Sequence, residues 1–415
     1  MRGVTPGPTE EPPARRVPLR GRASTFWATW WKVVLLGVLT VGSYGIAVYA
    51  FGVLIEPIHE STGWSIGALS TSFTVSSLIG GVTGAGSGWM LDRVGARPVL
   101  LGSLAAGSVF LLLAASAPSM PLFVGAWGLG GGIISAGLFY SVTMALTTRL
   151  FPRDRIRAFA ILTFVGGFAA VIYFPLAGLL VELLEWRIAI RVMVGLLVLH
   201  VLPAALLVSG GHAPPSVVGH GGRGNYGGVL EAFRSRDVLQ MVAMFSLAAM
   251  GFAAIQVHHV PAMTSLGVSL GTATAVASAR GFLSLPGRAF MEPVTRRLGV
   301  PVATGTAYIF MAAGIVPLAI GGELLWILLF MVVTGFVFGA VSPLQGLYAA
   351  DVYGERRIGT LMGIQSLIVS VVSATGPMVL GLTVDATGGY RTAMLLTAGL
   401  FGGAFVLLVA RPRTG

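Results

Sequence analysis

Twelve apolar runs of about twenty residues or more decide what these 415 residues can fold into. They fall at 31–55, 67–90, 98–117, 121–148, 158–181, 188–208, 238–262, 272–292, 300–321, 324–350, 359–383 and 391–410. Each is long enough to cross a hydrocarbon core of ~30 Å. Inside such a core every backbone N–H and C=O has to bond within the protein, so runs of this length are expected to be helices. Composition agrees: 55% of residues are apolar and 10% charged, whereas soluble domains carry about 25% charged residues. The expected fold is an all-α membrane protein with twelve transmembrane helices.

The net charge of +11 invites a nucleic-acid role, and its distribution argues against one. Arginines gather after every second span: Arg93 and Arg97 after span 2, and Arg149, Arg153, Arg155 and Arg157 after span 4. Arg223, Arg234 and Arg236 follow span 6, Arg296 and Arg297 span 8, Arg356 and Arg357 span 10. Both ends of the chain are basic as well. The opposite side holds Arg187, Arg191 and Arg391 together with Glu56, Glu60, Glu185, Glu323 and Asp385. By the positive-inside rule both termini are cytoplasmic in a plasma (inner) membrane, and the high pI reports topology. The lipid bilayer is the expected environment, and nucleic acid is not an expected partner.

Residues 1–25, rich in proline and arginine, read as a disordered cytoplasmic tail with no cleavable signal. Residues 209–237 read as a cytoplasmic linker between an N-terminal bundle (26–208) and a C-terminal bundle (238–411). Cysteine is absent, so there is no disulfide or thiolate metal site. His212 and His220 in the linker are isolated loop histidines, and no metal or other cofactor is expected.

The chain repeats itself. Phe151-Pro-Arg-Asp-Arg155-Ile156 after span 4 matches Tyr353-Gly-Glu-Arg-Arg357-Ile358 after span 10, 202 residues later. Pro175-Leu176 matches Pro377-Met378 at the same offset. Trp186-Arg187 matches Tyr390-Arg391, and Asp92-Arg93-Val94-Gly95 matches Arg296-Arg297-Leu298-Gly299, each offset by 204. Four matches in order imply two pseudo-symmetric six-helix bundles of parallel topology, an arrangement used by transporters that rock two bundles about a midplane site.

Span 8 holds Arg280 and Arg288, and no span holds a carboxylate at its middle. A buried guanidinium keeps its proton, and an arginine at the bilayer centre costs roughly 3 kcal/mol on insertion scales. Counted back from Arg296, the midplane falls near Leu285, so both arginines are within reach of a central cavity. Without a carboxylate partner in the spans, the missing anion is expected to be the substrate.

Gly88-Trp-Met-Leu-Asp92-Arg93-Val-Gly95-Ala-Arg97 resembles the loop 2–3 signature of the major facilitator superfamily. Other stretches are similar to its monocarboxylate transporters and oxalate/formate antiporters. They include Gly42-Ser43-Tyr44-Gly45 with Phe51-Gly52-Val53, Phe151 to Arg155, Gly166-Gly167, Pro175-Leu176 and Trp186-Arg187. In the second half they are His259-Val260-Pro261, Gly287-Arg288, Gly376-Pro377 and Asp385-Ala-Thr-Gly-Gly-Tyr390. The resemblance implies a major facilitator fold in which the arginine four residues before the loop 8–9 signature binds the substrate carboxylate. Arg288 holds that position, with Glu292 where the family has glycine. The competing reading pairs Arg288 with Glu292 one turn away.

Arg280 lies eight residues earlier, about 12 Å up the helix, with Ser284 halfway. It is either a second anion contact, favouring a dicarboxylate, or a side chain snorkelling to the outer mouth. The resemblance implies a histidine near the end of span 7 for substrate or proton handling, which points to His258 or His259; adjacent helical residues diverge, so at most one faces a cavity. Tyr140, Tyr173, Gln256, Gln345 and Tyr348 each lie within a span and can donate to a carboxylate or to a neighbouring helix. Asp92, Arg93 and Arg97 are expected to form a conformational latch, and the resemblance implies that it closes the cytoplasmic side.

The expected function is secondary active transport of a small monocarboxylate such as lactate or pyruvate, by a monomer, coupled to protons. Carboxylate exchange of the oxalate/formate kind is the alternative, and a non-transporting receptor on the same fold a weaker one. An enzyme is not expected, because no nucleophile–base pair or metal cluster stands out.

Overall fold

The computed structural model describes residues 19–208, 233, 235–353 and 358–410. Most of the expected tail (1–25) and linker (209–237), with His212 and His220, lies outside them. Span 1 runs as a helix from Leu19 to Tyr44, a π-helical turn over Gly45–Tyr49 and a helix over Ala50–Thr62. Helix therefore takes in residues 19–25, expected as tail. Span 2 is Ile66–Val94, span 3 Ala96–Ala115, span 4 Met120–Leu138 with Tyr140–Leu150, and span 5 Arg155–Gly166 with Phe168–Leu183. Span 6 is Trp186–Leu207, span 7 Arg236–Ser265, span 8 Leu270–Leu298, and span 9 Val300–Ile315 with Pro317–Ile320. Span 10 is Leu324–Tyr353, span 11 Ile358–Thr387 and span 12 Tyr390–Val409.

Among the described residues, eleven helices are long and apolar enough to cross a membrane. The helix outside that set is span 8, whose length of 29 residues suffices but whose glycines, hydroxyl residues and two arginines dilute it. The span that is least at home in lipid carries the two intramembrane arginines.

The halves repeat in three dimensions. Spans 2 and 4, 3 and 4, 3 and 6, 1 and 5, and 1 and 6 pack together, and so do their counterparts 8 and 10, 9 and 10, 9 and 12, 7 and 11, and 7 and 12. The Ser65 side chain caps span 2 by accepting from the Ala68 amide, and Ser269, 204 residues on, caps span 8 by accepting from that of Thr272. Spans 2 and 8 end at Gly95 (φ 85°) and Gly299 (φ 79°), a left-handed stop that glycine makes at least cost.

The halves meet along spans 2 and 11, 5 and 8, and 1 and 7. Hydrogen bonds between them cluster toward the arginine-poor end. The Asp385 carboxylate accepts from the amides of Ile66 (3.0 Å) and Gly67 (2.8 Å), capping span 2 from the other half. Ser70 meets His258 at 3.2 Å, and the Ser278 hydroxyl donates to the Val171 carbonyl at 2.8 Å. Small residues let the backbones close: a Cβ on Gly381 would meet Gly67, and one on Gly281 would meet Ala170. Toward the arginine-rich end the same helices diverge around a cavity.

Candidate functional site

The cavity, of about 1080 Å³, lies between the two halves. On spans 2, 4 and 11 its lining reaches toward the arginine-rich end, through Gly84, Met144 and Ser370, while on span 7 it extends from Ala249 to Gln256. Three breaks in helical geometry lie at or beside its walls. Tyr44, Ala47 and Val48 line it from the π turn of span 1 or the residue before it. Phe139, in extended conformation, interrupts span 4, and Gly167 interrupts span 5 just beyond Thr163. A π turn inside an α-helix frequently marks a functional site.

Arg288 lines this cavity and is exposed within it. Glycine places it: a Cβ on Gly339 of span 10 would lie 3.1 Å from Arg288 Cγ and would run into the Ser284 carbonyl. The expected rival partner is engaged elsewhere, since Glu292 pairs with Arg296 at 3.7 Å. Among the described residues Arg288 has no ion pair or hydrogen bond. Gln256 and Gln345 line the same cavity. The Tyr140 and Tyr49 hydroxyls are within electrostatic reach of the Arg288 guanidinium.

Arg280 is placed differently. It is 3% exposed, its Nε donates to the Thr334 hydroxyl at 2.9 Å, and it does not snorkel to the mouth. Its guanidinium lies 4.9 Å from the centre of the Phe338 ring and 5.6 Å from that of Phe330, a cation–π arrangement. Phe338 itself lines the cavity, so the residue whose ring holds Arg280 also borders the open volume.

The remaining candidates separate. Neither histidine lines the cavity. His258 is buried in the contact between the halves, touching Ser70, the Pro377 carbonyl (2.9 Å) and the Tyr390 hydroxyl (3.3 Å). His259 points the other way, beside Phe174 and Phe330, with Nδ1 on the Ile255 carbonyl at 2.7 Å. The Ser284 hydroxyl donates to the Gly281 carbonyl in its own helix, which takes its proton away from the cavity. Tyr173 is buried under the π turn against Gly45 and His200, and Tyr348 is buried edge-on against Phe245. Asp92 pairs with Arg149 of its own half, Arg93 stacks on Trp89 at 4.5 Å, and Arg97 is exposed, so the latch residues make their contacts within the N-terminal half in this conformation.

The structure adds residues that the sequence reading passed over. Tyr49 ends the π turn and is within electrostatic reach of both arginines. Phe338 and Thr334 hold Arg280. A signal for span 10 was present: Gly335-x-x-x-Gly339 is a close-packing spacing, and both glycines meet the span 8 backbone, at Arg280 and Ser284.

A family model described as the Major Facilitator Superfamily matches residues 37–377 and, in a second match, 260–415. The oxalate:formate antiporter of Oxalobacter formigenes is 27% identical over 141 residues, 33% of this chain and 32% of that protein, so the match spans about a third of that relative. Human monocarboxylate transporter 11 is 25% identical over 343 residues, 77% of this chain and 70% of that one. A Mycobacterium tuberculosis protein named probable multidrug-efflux transporter is 32% identical over 237 residues, 55% of this chain and 46% of that one. In fold, the chain is similar to a crystallised variant of the nucleoside transporter NupG, with a TM-score of 0.80 at 13% identity over 92% of this chain and 99% of that one.

Proposed function

Because the chain belongs to the major facilitator superfamily, we propose that it is a secondary active transporter of a small organic anion, a monocarboxylate such as lactate or pyruvate, moved together with a proton. One observation carries the reading: Arg288, which has no counterion among the described residues, faces the cavity between the halves. A guanidinium takes a carboxylate through two parallel charge-assisted hydrogen bonds, and a neutral or cationic solute would leave its charge unmatched. Gln256, Gln345 and Tyr140 supply further donors around the bound anion. The relatives named for monocarboxylates and for oxalate and formate support this substrate class.

In this reading the arginine-rich end is cytoplasmic, as are both termini, the membrane is the plasma membrane, and the conformation is open to the inside. The bundles 26–208 and 238–411 rock about the bound anion. The contacts of Asp385 and His258 part, and Asp92, Arg93 and Arg97 help close the opposite side. A carboxylate on Arg288 carries net charge when it moves alone. A proton carried with it, on His258 or His259, makes the cycle electroneutral.

Uptake of labelled lactate into liposomes holding the purified protein, under an inward pH gradient, tests this. Arg288→Ala is expected to lose uptake, with affinity lower by roughly tenfold to a hundredfold, since each hydrogen bond to a charged group contributes about 1.5–3 kcal/mol. Undiminished uptake in the variant sinks the arginine role, and indifference to the gradient sinks the proton coupling. A second reading, carboxylate exchange, is favoured by a second arginine, Arg280, with no carboxylate partner among the described residues; counterflow without a pH gradient distinguishes it.

A further inference from the structure

We propose that Arg280 is the centre of a second carboxylate-binding subsite, walled off from the cavity in this conformation by the Phe338 ring. The inference rests on the anion-transport reading and adds a second station on the same path.

Three buried side chains here carry polar atoms with no partner: Arg280 Nη2, Gln256 Nε2 and His259 Nε2. The first and third share a neighbour. The Arg280 guanidinium and the His259 ring lie 5.6 Å and 6.1 Å from the same Phe330 ring. Gln256 is one turn before His259 on span 7 and reaches the cavity. Tyr49 approaches from span 1 of the other half. A buried guanidinium stays charged, and an unmet N–H on a buried charged group is strongly unfavourable. Thr334 and two ring faces meet only part of this guanidinium. An anion fills the rest: a carboxylate on Arg280 Nη2 and Gln256 Nε2, with His259 Nε2 free to take a proton because Nδ1–H donates to the Ile255 carbonyl.

The wall is thin. Phe338 carries the Arg280 guanidinium against its ring, borders the cavity, and packs edge-on against Phe252, also a lining residue. The Arg280 Cα lies about 12 Å along the helix axis from that of Arg288, toward the sealed end, and two arginine side chains are long enough to narrow that gap. A swing of the Phe338 ring joins the two stations. The same chemistry serves two sources: the second carboxylate of a dianion anchored on Arg288, or a monocarboxylate handed on from it as the cavity closes.

Isothermal titration of the purified full chain in detergent, with lactate and with oxalate as the probes, separates these outcomes. Arg280→Gln is expected to weaken oxalate binding by roughly tenfold or more. A loss for oxalate alone assigns the second carboxylate of a dianion, and a loss for both anions assigns the handover. Phe338→Ala keeps Arg280 and removes the wall, so it is expected to tighten binding of whichever anion Arg280→Gln weakens. Unchanged affinity for both anions in Arg280→Gln, or unchanged or weaker binding in Phe338→Ala, overturns the subsite. If Arg288→Gln still loses binding in that case, the reading of Arg288 stands and only this inference falls. Unchanged binding in Arg288→Gln, or none in the wild type, overturns both.

Discussion

Arg288 stands where it does because two glycines of the span 8–span 10 contact allow it. Gly287 lies against the Phe336 carbonyl, and Gly339 against the Ser284 carbonyl and the stem of Arg288. A methyl group at either position has no room, and overpacking of this kind costs about 1–3 kcal/mol. Gly339→Ala is therefore expected to lower the melting temperature in detergent and to weaken anion binding together. A variant with wild-type stability would mean that the two helices slide apart freely. Arg288→Lys tests the fork itself: it keeps the charge and loses the bidentate geometry. It is expected to bind lactate more weakly than the wild type and more strongly than Arg288→Ala, as titration would show. Neither the need for glycine nor the partition of Arg280 by Phe338 was legible in the residue string, because both depend on which helix lies across from span 8.

The element that seals the arginine-poor end is the start of span 2, capped by a carboxylate from span 11. Asp385 takes two amide hydrogens that no residue of span 2 satisfies. Such a cap is worth about 0.5–2 kcal/mol, enough to move a two-state equilibrium several-fold. Asp385→Asn is expected to shift the population toward the state open at this end. The chain has no native cysteine, so a single cysteine in place of Ser70 reports the change by its rate of labelling. An unchanged rate would remove Asp385 from the gate. From sequence, Asp385 registered only as one acidic residue on the arginine-poor side and as part of a family motif. Its partner lies more than three hundred residues away, and local spacing says nothing of such a contact.

For the whole molecule, the closed end and the open cavity are two aspects of one rigid-body arrangement. A Cβ on Gly381 would lie 2.7 Å from the Ser70 hydroxyl oxygen, across the boundary between the halves. It would also lie 2.8 Å from Gly67 Cα and 2.9 Å from the Ile66 carbonyl oxygen, so the halves close here only around a glycine. Gly381→Val is therefore expected to wedge the arginine-poor end open and slow transport, while anion binding at Arg288 persists. Transport at the wild-type rate in Gly381→Val would rule out rocking about this contact.

The superfamily was marked in the residue string by its motifs, and the membrane class, the order of twelve spans, the twofold repeat and the two arginines of span 8 were legible there as well. These follow from length, hydropathy, charge asymmetry and internal spacing, all of which can be read along the chain. The sequence also pointed to Gln256 and Gln345, which the fold brings to the cavity of Arg288. Tertiary structure alone decided that Tyr173, Ser284 and Tyr348 turn into packing, and that His258 joins the seal while His259 turns toward Arg280. It likewise decided that Glu292 leaves Arg288 for Arg296. The reason is physical: helical periodicity fixes the angle between neighbouring side chains but not the rotation of the helix against its partners. That rotation comes from glycine contacts and inter-helix hydrogen bonds between residues far apart in the chain.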